Sequence, residues 1–281
     1  MKHSWIGPIV ALAFALGACG GRATTTPTNQ PPTATVAAST SPTVAPASLT
    51  IYGAASLKGA LDEARTAYEA VNPGTTLTIS TDSSATLEAQ IEQGAPADVF
   101  LSADTSNPKK LADRGFAAGT GVTFAGNKLT VIVPSANPAG MTTPVDLAKS
   151  GVKVIAAGDA VPITKYATQL VTNLAGEAGY PADFVARYTA NIASKEDNVK
   201  AIVAKIELGE GDAGIVYVTD AKASSRVTSI HVPAAANVPA TYAGVIVKAS
   251  QHQAAAAAFL AWLAGPDGQA ILATFGFLPP P

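Results

Sequence analysis

The sequence predicts an α/β protein of two lobes, each a mainly parallel β-sheet flanked by helices, with a ligand bound in the cleft between the lobes. Short apolar runs typical of strands alternate with longer segments of helical periodicity, which favours parallel sheets covered by helices. The alternation restarts after a strand-like run at 128–133, and this indicates a second lobe. Open α/β sheets bind ligands at the carboxyl ends of their strands, so two facing lobes enclose the ligand.

The first 48 residues predict a targeting signal and a tether. An apolar run at 5–16 leads to small residues and then to Cys19, the only cysteine of the chain. This pattern predicts a signal peptide over 1–18, and Leu-Gly-Ala-Cys resembles a lipobox, in which Cys19 becomes the lipidated first residue of the mature chain. An ordinary signal peptide that contains a cysteine is the alternative. Residues 19–48 are rich in Thr, Pro and Ala, so we expect an extended tether.

The first lobe is predicted to open with two β-α units. Apolar residues recur at helical spacing after the first strand until Asn72-Pro73-Gly74 stops the pattern. The predicted elements of this part are a strand at 49–52, a helix at 57–71, a strand at 77–80, a short helix around 87–91 and a strand at 97–101.

The second lobe repeats this alternation. Ser194, followed three residues later by Asp197, predicts a capping box ahead of an apolar helical stripe that begins at Val199. The predicted elements are strands at 128–133, 152–157, 214–218 and 227–232, a helix at 163–175, a helix that begins near Pro181 and the helix after the capping box. A strand at 242–247 and an alanine-rich helix at 251–264, which ends at Gly265-Pro266, complete the chain.

Charge and composition exclude some partners. The formal net charge is −2 and the 18 Lys and Arg residues are scattered, whereas nucleic-acid binders concentrate positive charge on one face. We therefore expect no nucleic-acid partner. The sequence after the signal peptide has no apolar run long enough to span a bilayer.

Two serines stand where helices follow the first two strands, at Ser56 and Ser84. The first amides of a helix have no internal partner and carry partial positive charge, so each serine offers side-chain and main-chain donors to an anion. A simple N-cap is the alternative for each. Because adjacent parallel strands point their carboxyl ends at one edge, the pair favours a shared oxyanion site.

The second lobe contributes three further candidates. Pro162 at a helix start leaves the amides of Ile163 and Thr164 available to an anion, and the amide of Val199 is placed similarly. Tyr217 ends a predicted strand and offers a phenolic donor. Ordinary β-α turns and a buried packing role for the tyrosine remain open as alternatives.

Catalytic motifs are missing from the sequence. It contains neither G-x-S-x-G nor H-E-x-x-H nor a P-loop, and Cys19 is assigned to the anchor. Asp98 and Asp104 flank an apolar run, and we expect each of them to cap a loop. We therefore expect a binding protein rather than an enzyme, with no catalytic residue.

Three phrases in this order resemble the periplasmic molybdate-binding proteins of bacterial ABC importers: Tyr-Gly-Ala-Ala-Ser-Leu at 52–57, the stretch at 94–104, and Gly-Ile-Val-Tyr at 214–217. The resemblance covers about residues 49–277, and its most specific part is 94–104. It implies the type II periplasmic-binding-protein fold, in which the chain crosses twice between the lobes. We accordingly assign 49–126 with 240–281 to lobe I and 127–239 to lobe II.

The resemblance also implies the ligand and its partners. The family holds molybdate or tungstate between the lobes without a basic residue in contact, through hydroxyls and main-chain N–H groups. Matched motif to motif, the oxyanion-binding residues are Ser56, Ser84, Ile163, Val199 and Tyr217. The metal is bound as its oxyanion and no cofactor is implied. The protein is expected to be a monomer, anchored outside the cytoplasm in the periplasm or at the cell surface, that delivers its ligand to an ABC permease.

Two places depart from the family pattern. The loop at 158–162 is shorter than usual, and Ile163-Thr164 stands where a small residue and glycine are common. Asp82 stands where a small neutral residue is more frequent. A carboxylate repels a dianion but accepts the proton of hydrogen phosphate, so a receptor for phosphate or sulfate is the alternative, with an extracellular hydrolase as a further one. We expect Asp82 to point away from the site.

Overall fold

The computed structural model describes residues 45–281. The predicted signal peptide, Cys19 and almost all of the predicted tether lie outside the described residues. In the described part, no helix combines the length and the apolar character needed to cross a membrane.

The first lobe is built on a five-stranded sheet. Its strands are β1 (Ser48–Ala54), β2 (Thr76–Asp82), β3 (Val99–Ser102), β4 (Val122–Asn127) and β10 (Ala240–Ile246), in the order β2-β1-β3-β10-β4. β1 pairs in parallel with β2 and β3, whereas β10 is antiparallel to both of its neighbours. The helices of this lobe are α1 (Lys58–Val71), α2 (Ser84–Glu92), α3 (Ser106–Asp113), α8 (Gln253–Ala264) and α9 (Pro266–Thr274).

The second lobe has the same plan. Its strands are β5 (Leu129–Pro134), β6 (Val154–Ala157), β7 (Ile192–Glu196), β8 (Ala213–Tyr217) and β9 (Val227–Ile230), in the order β7-β6-β8-β5-β9. β6 is parallel to β7 and β8, and β5 is antiparallel to β8 and β9. The helices are α4 (Pro162–Ala175), α5 (Phe184–Ala190), α6 (Val199–Glu207) and α7 (Val218–Lys222). The two-lobed α/β fold predicted from the alternation of elements is confirmed. The prediction that each sheet is mainly parallel is wrong, because β10 and β5 each run antiparallel to both of their neighbours, and both sheets are therefore mixed.

The chain passes between the two sheets twice. It leaves the first sheet at the end of β4 and enters the second at β5, with Lys128 between them, and it returns between β9 and β10. At the first crossing the side-chain amide of Asn127 donates to Thr219 Oγ1 at 2.9 Å, and this hydrogen bond links the two lobes. The end of the chain is held to the same place, because Leu278 N donates to Gly126 O at 2.9 Å.

The predicted capping box at Ser194 is wrong. Ser194 lies inside β7, which pairs with β6 at the edge of the sheet, and its hydroxyl donates to Glu196 Oε1 at 2.7 Å. The cap of α6 is Asn198, whose Oδ1 accepts the Ala201 N–H at 3.1 Å. An N-cap must directly precede the first helical residue, and strand pairing keeps Ser194 too far from the helix for that role.

Candidate functional site

A small cavity lies where elements of the two lobes face each other. The centre of a water molecule can occupy a volume of about 10 Å³ inside it, which is roughly the minimum for a cavity that holds one water. The structure brings all five residues singled out in the sequence to its wall, namely Ser56, Ser84, Ile163, Val199 and Tyr217. Groups from both lobes therefore surround one small space.

Ser56 lies in a 3-10 turn, Ala55–Leu57, between β1 and α1, and it is 6% exposed. It is not a helix cap, because α1 is preceded by Leu57 and has no side-chain cap. Its Oγ lies 2.9 Å from the hydroxyl of Tyr242. The N-cap interpretation therefore does not explain the presence of this serine.

Ser84 is the first residue of α2 and is almost fully buried. Its Oγ accepts the N–H of Ala103 at 3.0 Å, so the single proton of the hydroxyl remains available for a ligand. The preceding Ser83 also lines the cavity, and its buried Oγ has no hydrogen-bond partner among the described residues. Sequence reasoning missed Ser83, although its position next to Ser84 in the same helix start was a usable signal.

Two helix starts of the second lobe lie at the wall of the cavity. Ile163 is the second residue of α4, after Pro162, and Val199 is the first residue of α6. The first amides of a helix have no carbonyl partner within it, so both N–H groups are free of helical bonding. The amide of Thr164, which was also expected to be free, donates to Val161 O at 3.0 Å instead.

Tyr217 ends β8 and is 1% exposed. Its ring packs edge-on against Tyr166 and Tyr242, with ring centroids 6.3 Å and 5.7 Å away. Its hydroxyl has no hydrogen-bond partner in the part of the chain that the structure describes. Leaving a buried polar group without a hydrogen bond costs about 1–3 kcal/mol of stability. A ligand in the cavity that accepts a hydrogen bond from this hydroxyl would remove that cost.

Burial raises the pKa of both Tyr217 and Tyr242 well above the usual value for tyrosine. For Tyr242, the neighbouring negative charge of Asp220 acts in the same direction. Each hydroxyl therefore keeps its proton and acts as a donor throughout the physiological pH range.

Of the described residues that line the cavity, Asp82 alone has a charged side chain. Its Oδ1 accepts the N–H of Ser83 at 2.7 Å and the side-chain amide of Asn198 at 2.9 Å. The second of these bonds crosses the cleft to a residue that also lines the cavity. The expectation that Asp82 points away from the site is therefore wrong. The starts of α2, α4 and α6 supply compensating partial positive charge.

The donor set suits an anion rather than a bare cation. Hydroxyl and amide protons repel a metal ion, which prefers carboxylate, imidazole or thiolate ligands. Residues 45–281 contain no group of three or more such side chains that is able to hold a metal. Asp98 accepts the N–H of Thr50 in β1, and Asp104 accepts the N–H of Asn107 in the first turn of α3, so these partners lie in a strand and a helix rather than in the loops that we expected.

Comparison with known proteins agrees with this geometry. Residues 49–278 match the family model described as bacterial extracellular solute-binding protein. The molybdate-binding protein ModA of Mycobacterium tuberculosis is 31% identical over 98% of this chain and 99% of its own. A Bacillus subtilis protein named putative ABC transporter substrate-binding lipoprotein YvgL is 31% identical over 82% of this chain and 85% of its own. The solved periplasmic molybdate-binding protein of Azotobacter vinelandii superposes with a TM-score of 0.70 at 27% identity, over 83% of this chain and 100% of that one.

Proposed function

Because this chain belongs to the family of bacterial extracellular solute-binding proteins, we propose that it captures molybdate or tungstate outside the cytoplasm and delivers it to an ABC importer. The observation that carries the ligand class is the convergence of uncharged donors from both lobes on one small cavity. The relatives named for molybdate support the choice of this ion among tetrahedral oxyanions.

The proposed ligand matches the donors chemically. A fully ionised tetrahedral dianion accepts hydrogen bonds at every oxygen and donates none, so hydroxyls and amides satisfy it without a proton acceptor. The hydroxyls of Ser56 and Ser84 approach from the first lobe, and the donors of the second lobe approach from the opposite side. Enclosure removes water and strengthens each of these hydrogen bonds.

The same proposal covers the state of the protein in the cell. We take 49–126 with 240–281 and 127–239 as lobes that close on the ligand by a hinge motion. We further propose that the protein is a monomer without catalytic activity, held at the membrane by a lipid on Cys19. The relative named as a lipoprotein supports the anchor.

Thermal unfolding in the presence of single oxyanions tests the function. A ligand that binds only the folded state stabilises it by about 2.7 kcal/mol at a hundred times its dissociation constant, so molybdate and tungstate should raise the melting temperature. Sulfate and phosphate at equal concentration and ionic strength are the controls, and we expect little shift from them. An unchanged melting temperature with molybdate and tungstate would refute the proposal.

Asp82 favours a second candidate, a receptor for hydrogen phosphate, because its carboxylate is able to accept the proton of that ion. The substitution Asp82→Asn separates the two functions. The amide oxygen of asparagine can still accept the bonds from Ser83 and Asn198, so the variant removes a negative charge and little else.

We expect Asp82→Asn to tighten molybdate binding at least tenfold, because a single and a double negative charge a few ångströms apart repel each other even at an effective dielectric constant near 20. Calorimetric titration measures the change. Asp82→Ala is the matched control. It also removes the hydrogen bond to Asn198 across the cleft, so its affinity for molybdate should rise less than that of Asp82→Asn. Weaker binding of molybdate by Asp82→Asn, or phosphate binding that the wild type has and the variant loses, would favour the phosphate receptor.

A further inference from the structure

Three buried polar side chains form a continuous path from the crossing between the lobes to the cavity. Nδ2 of Asn127 lies 3.4 Å from Oη of Tyr242, which in turn lies 2.9 Å from Oγ of Ser56. Asn127 and Tyr242 are 1% and 0% exposed. Neither of them lines the cavity, and Ser56 is the cavity-lining residue with which Tyr242 shares a hydrogen bond.

The surroundings of Asn127 fix which way its side-chain amide faces. Its Oδ1 accepts the N–H of Lys128 at 2.9 Å, and its Nδ2 donates to Thr219 Oγ1 at 2.9 Å. The group that faces Tyr242 is therefore the NH₂, which only donates. Tyr242 Oη accepts a hydrogen bond from this NH₂, so its own O–H must donate to a different acceptor.

Ser56 Oγ is the acceptor within reach of the Tyr242 proton among the described residues. A buried hydroxyl proton without an acceptor is costly, so the bond runs from Tyr242 to Ser56. This occupies a lone pair of Ser56 Oγ and leaves the Ser56 proton to point into the cavity. In the reverse direction, Ser56 would face an anion with its lone pairs and repel it.

We propose that Tyr242 is a positioning residue that makes Ser56 a hydrogen-bond donor to the bound oxyanion, with Asn127 fixing the direction of the chain of bonds. This inference rests on the proposed function. The ring of Tyr242 is held in place by edge contacts with Phe124 and Phe277, whose centroids lie 6.2 Å and 5.4 Å away. Its hydroxyl therefore has little freedom to leave Ser56.

A double-mutant cycle with Tyr242→Phe and Ser56→Ala tests the inference by calorimetric titration of the full chain with molybdate. Without the tyrosine hydroxyl the Ser56 proton is no longer directed, and we expect Tyr242→Phe to weaken binding about fivefold, the size of one neutral hydrogen bond. In the Ser56→Ala background the same change should have no further effect, because the group that it positions is gone. Tyr52→Phe, on the same sheet and away from the cavity, is the control and should leave the affinity unchanged.

The outcomes are distinct. Failure of the wild type to bind molybdate overturns the proposed function and this inference with it. Binding by the wild type, with equal losses from Tyr242→Phe in both backgrounds, overturns the inference alone, because it shows that the tyrosine acts through general packing. Unfolding midpoints of the wild type, the three variants of the cycle and Tyr52→Phe, measured without ligand, confirm that the compared proteins are folded.

Discussion

Ser84→Ala is expected to weaken molybdate binding about fiftyfold, since a hydrogen bond to a charged group contributes about 1.5–3 kcal/mol. Ser84 is 1% exposed, and its Oγ already accepts the N–H of Ala103 at 3.0 Å, so its proton is left for the ligand. The substitution removes that donor. It also leaves the Ala103 amide without its acceptor at the wall of the cavity, which loosens the loop that follows β3.

Calorimetric titration of the variant measures this loss. Ser250→Ala is the matched control, because Ser250 is a buried serine of the same lobe whose hydroxyl donates to Asp98, away from the cavity. We expect the control to lower the melting temperature but to keep the affinity of the wild type. An affinity of Ser84→Ala within threefold of the wild type would remove Ser84 from the site.

Gly268→Ala is expected to destabilise the fold by about 3 kcal/mol, at the upper end of the cost of overpacking a core. Gly268 is a buried residue of the first turn of α9, where this helix crosses the end of α8. A Cβ at this position would overlap the carbonyl oxygen and Cα of Leu263. These are backbone atoms, so a change of rotamer cannot relieve the overlap and the two helices must move apart.

Denaturant unfolding without ligand measures this effect. Gly121→Ala is the control, because the nearest atom to a Cβ there is Pro108 Cβ at 3.6 Å, an ordinary contact, and we expect a change below about 0.5 kcal/mol. Equal stability of Gly268→Ala and the wild type would show that α8 and α9 do not pack as described. Because Gln269 in α9 donates to Phe124 O at 2.7 Å, we also expect the variant to disturb the support of Tyr242.

The sequence predicted those helices and strands whose own residues show a strong hydropathy pattern. The run after Ser56 and the stripe that begins at Val199 have clear helical periodicity, and both are helices. β4 went unpredicted because its sequence, Val-Thr-Phe-Ala-Gly-Asn, is short and ends in residues that are poor in strands. α9 was missed because Gly265-Pro266 was interpreted as an end, whereas Pro266 occupies the first position of a new helix.

The site was predictable to the extent that its groups sit at strand ends and helix starts. The five residues proposed from such positions line one cavity. The interactions around them were not predictable, because they join distant parts of the chain. Ser56 and Tyr242 are 186 residues apart, and Asp82 and Asn198 are 116 apart. Hydropathy and spacing report local structure, and they contain no information about which distant side chains meet.

The most direct test is a crystal structure grown with molybdate, in which anomalous scattering locates the molybdenum. The account predicts one ion in the cavity between the lobes, with its oxygens about 3 Å from donors of both lobes. Those donors are the hydroxyls of Ser56, Ser84 and Tyr217 and the main-chain amides of Ile163 and Val199. A molybdenum peak elsewhere, or a lysine or arginine side chain in contact with the ion, would contradict a site made of uncharged donors.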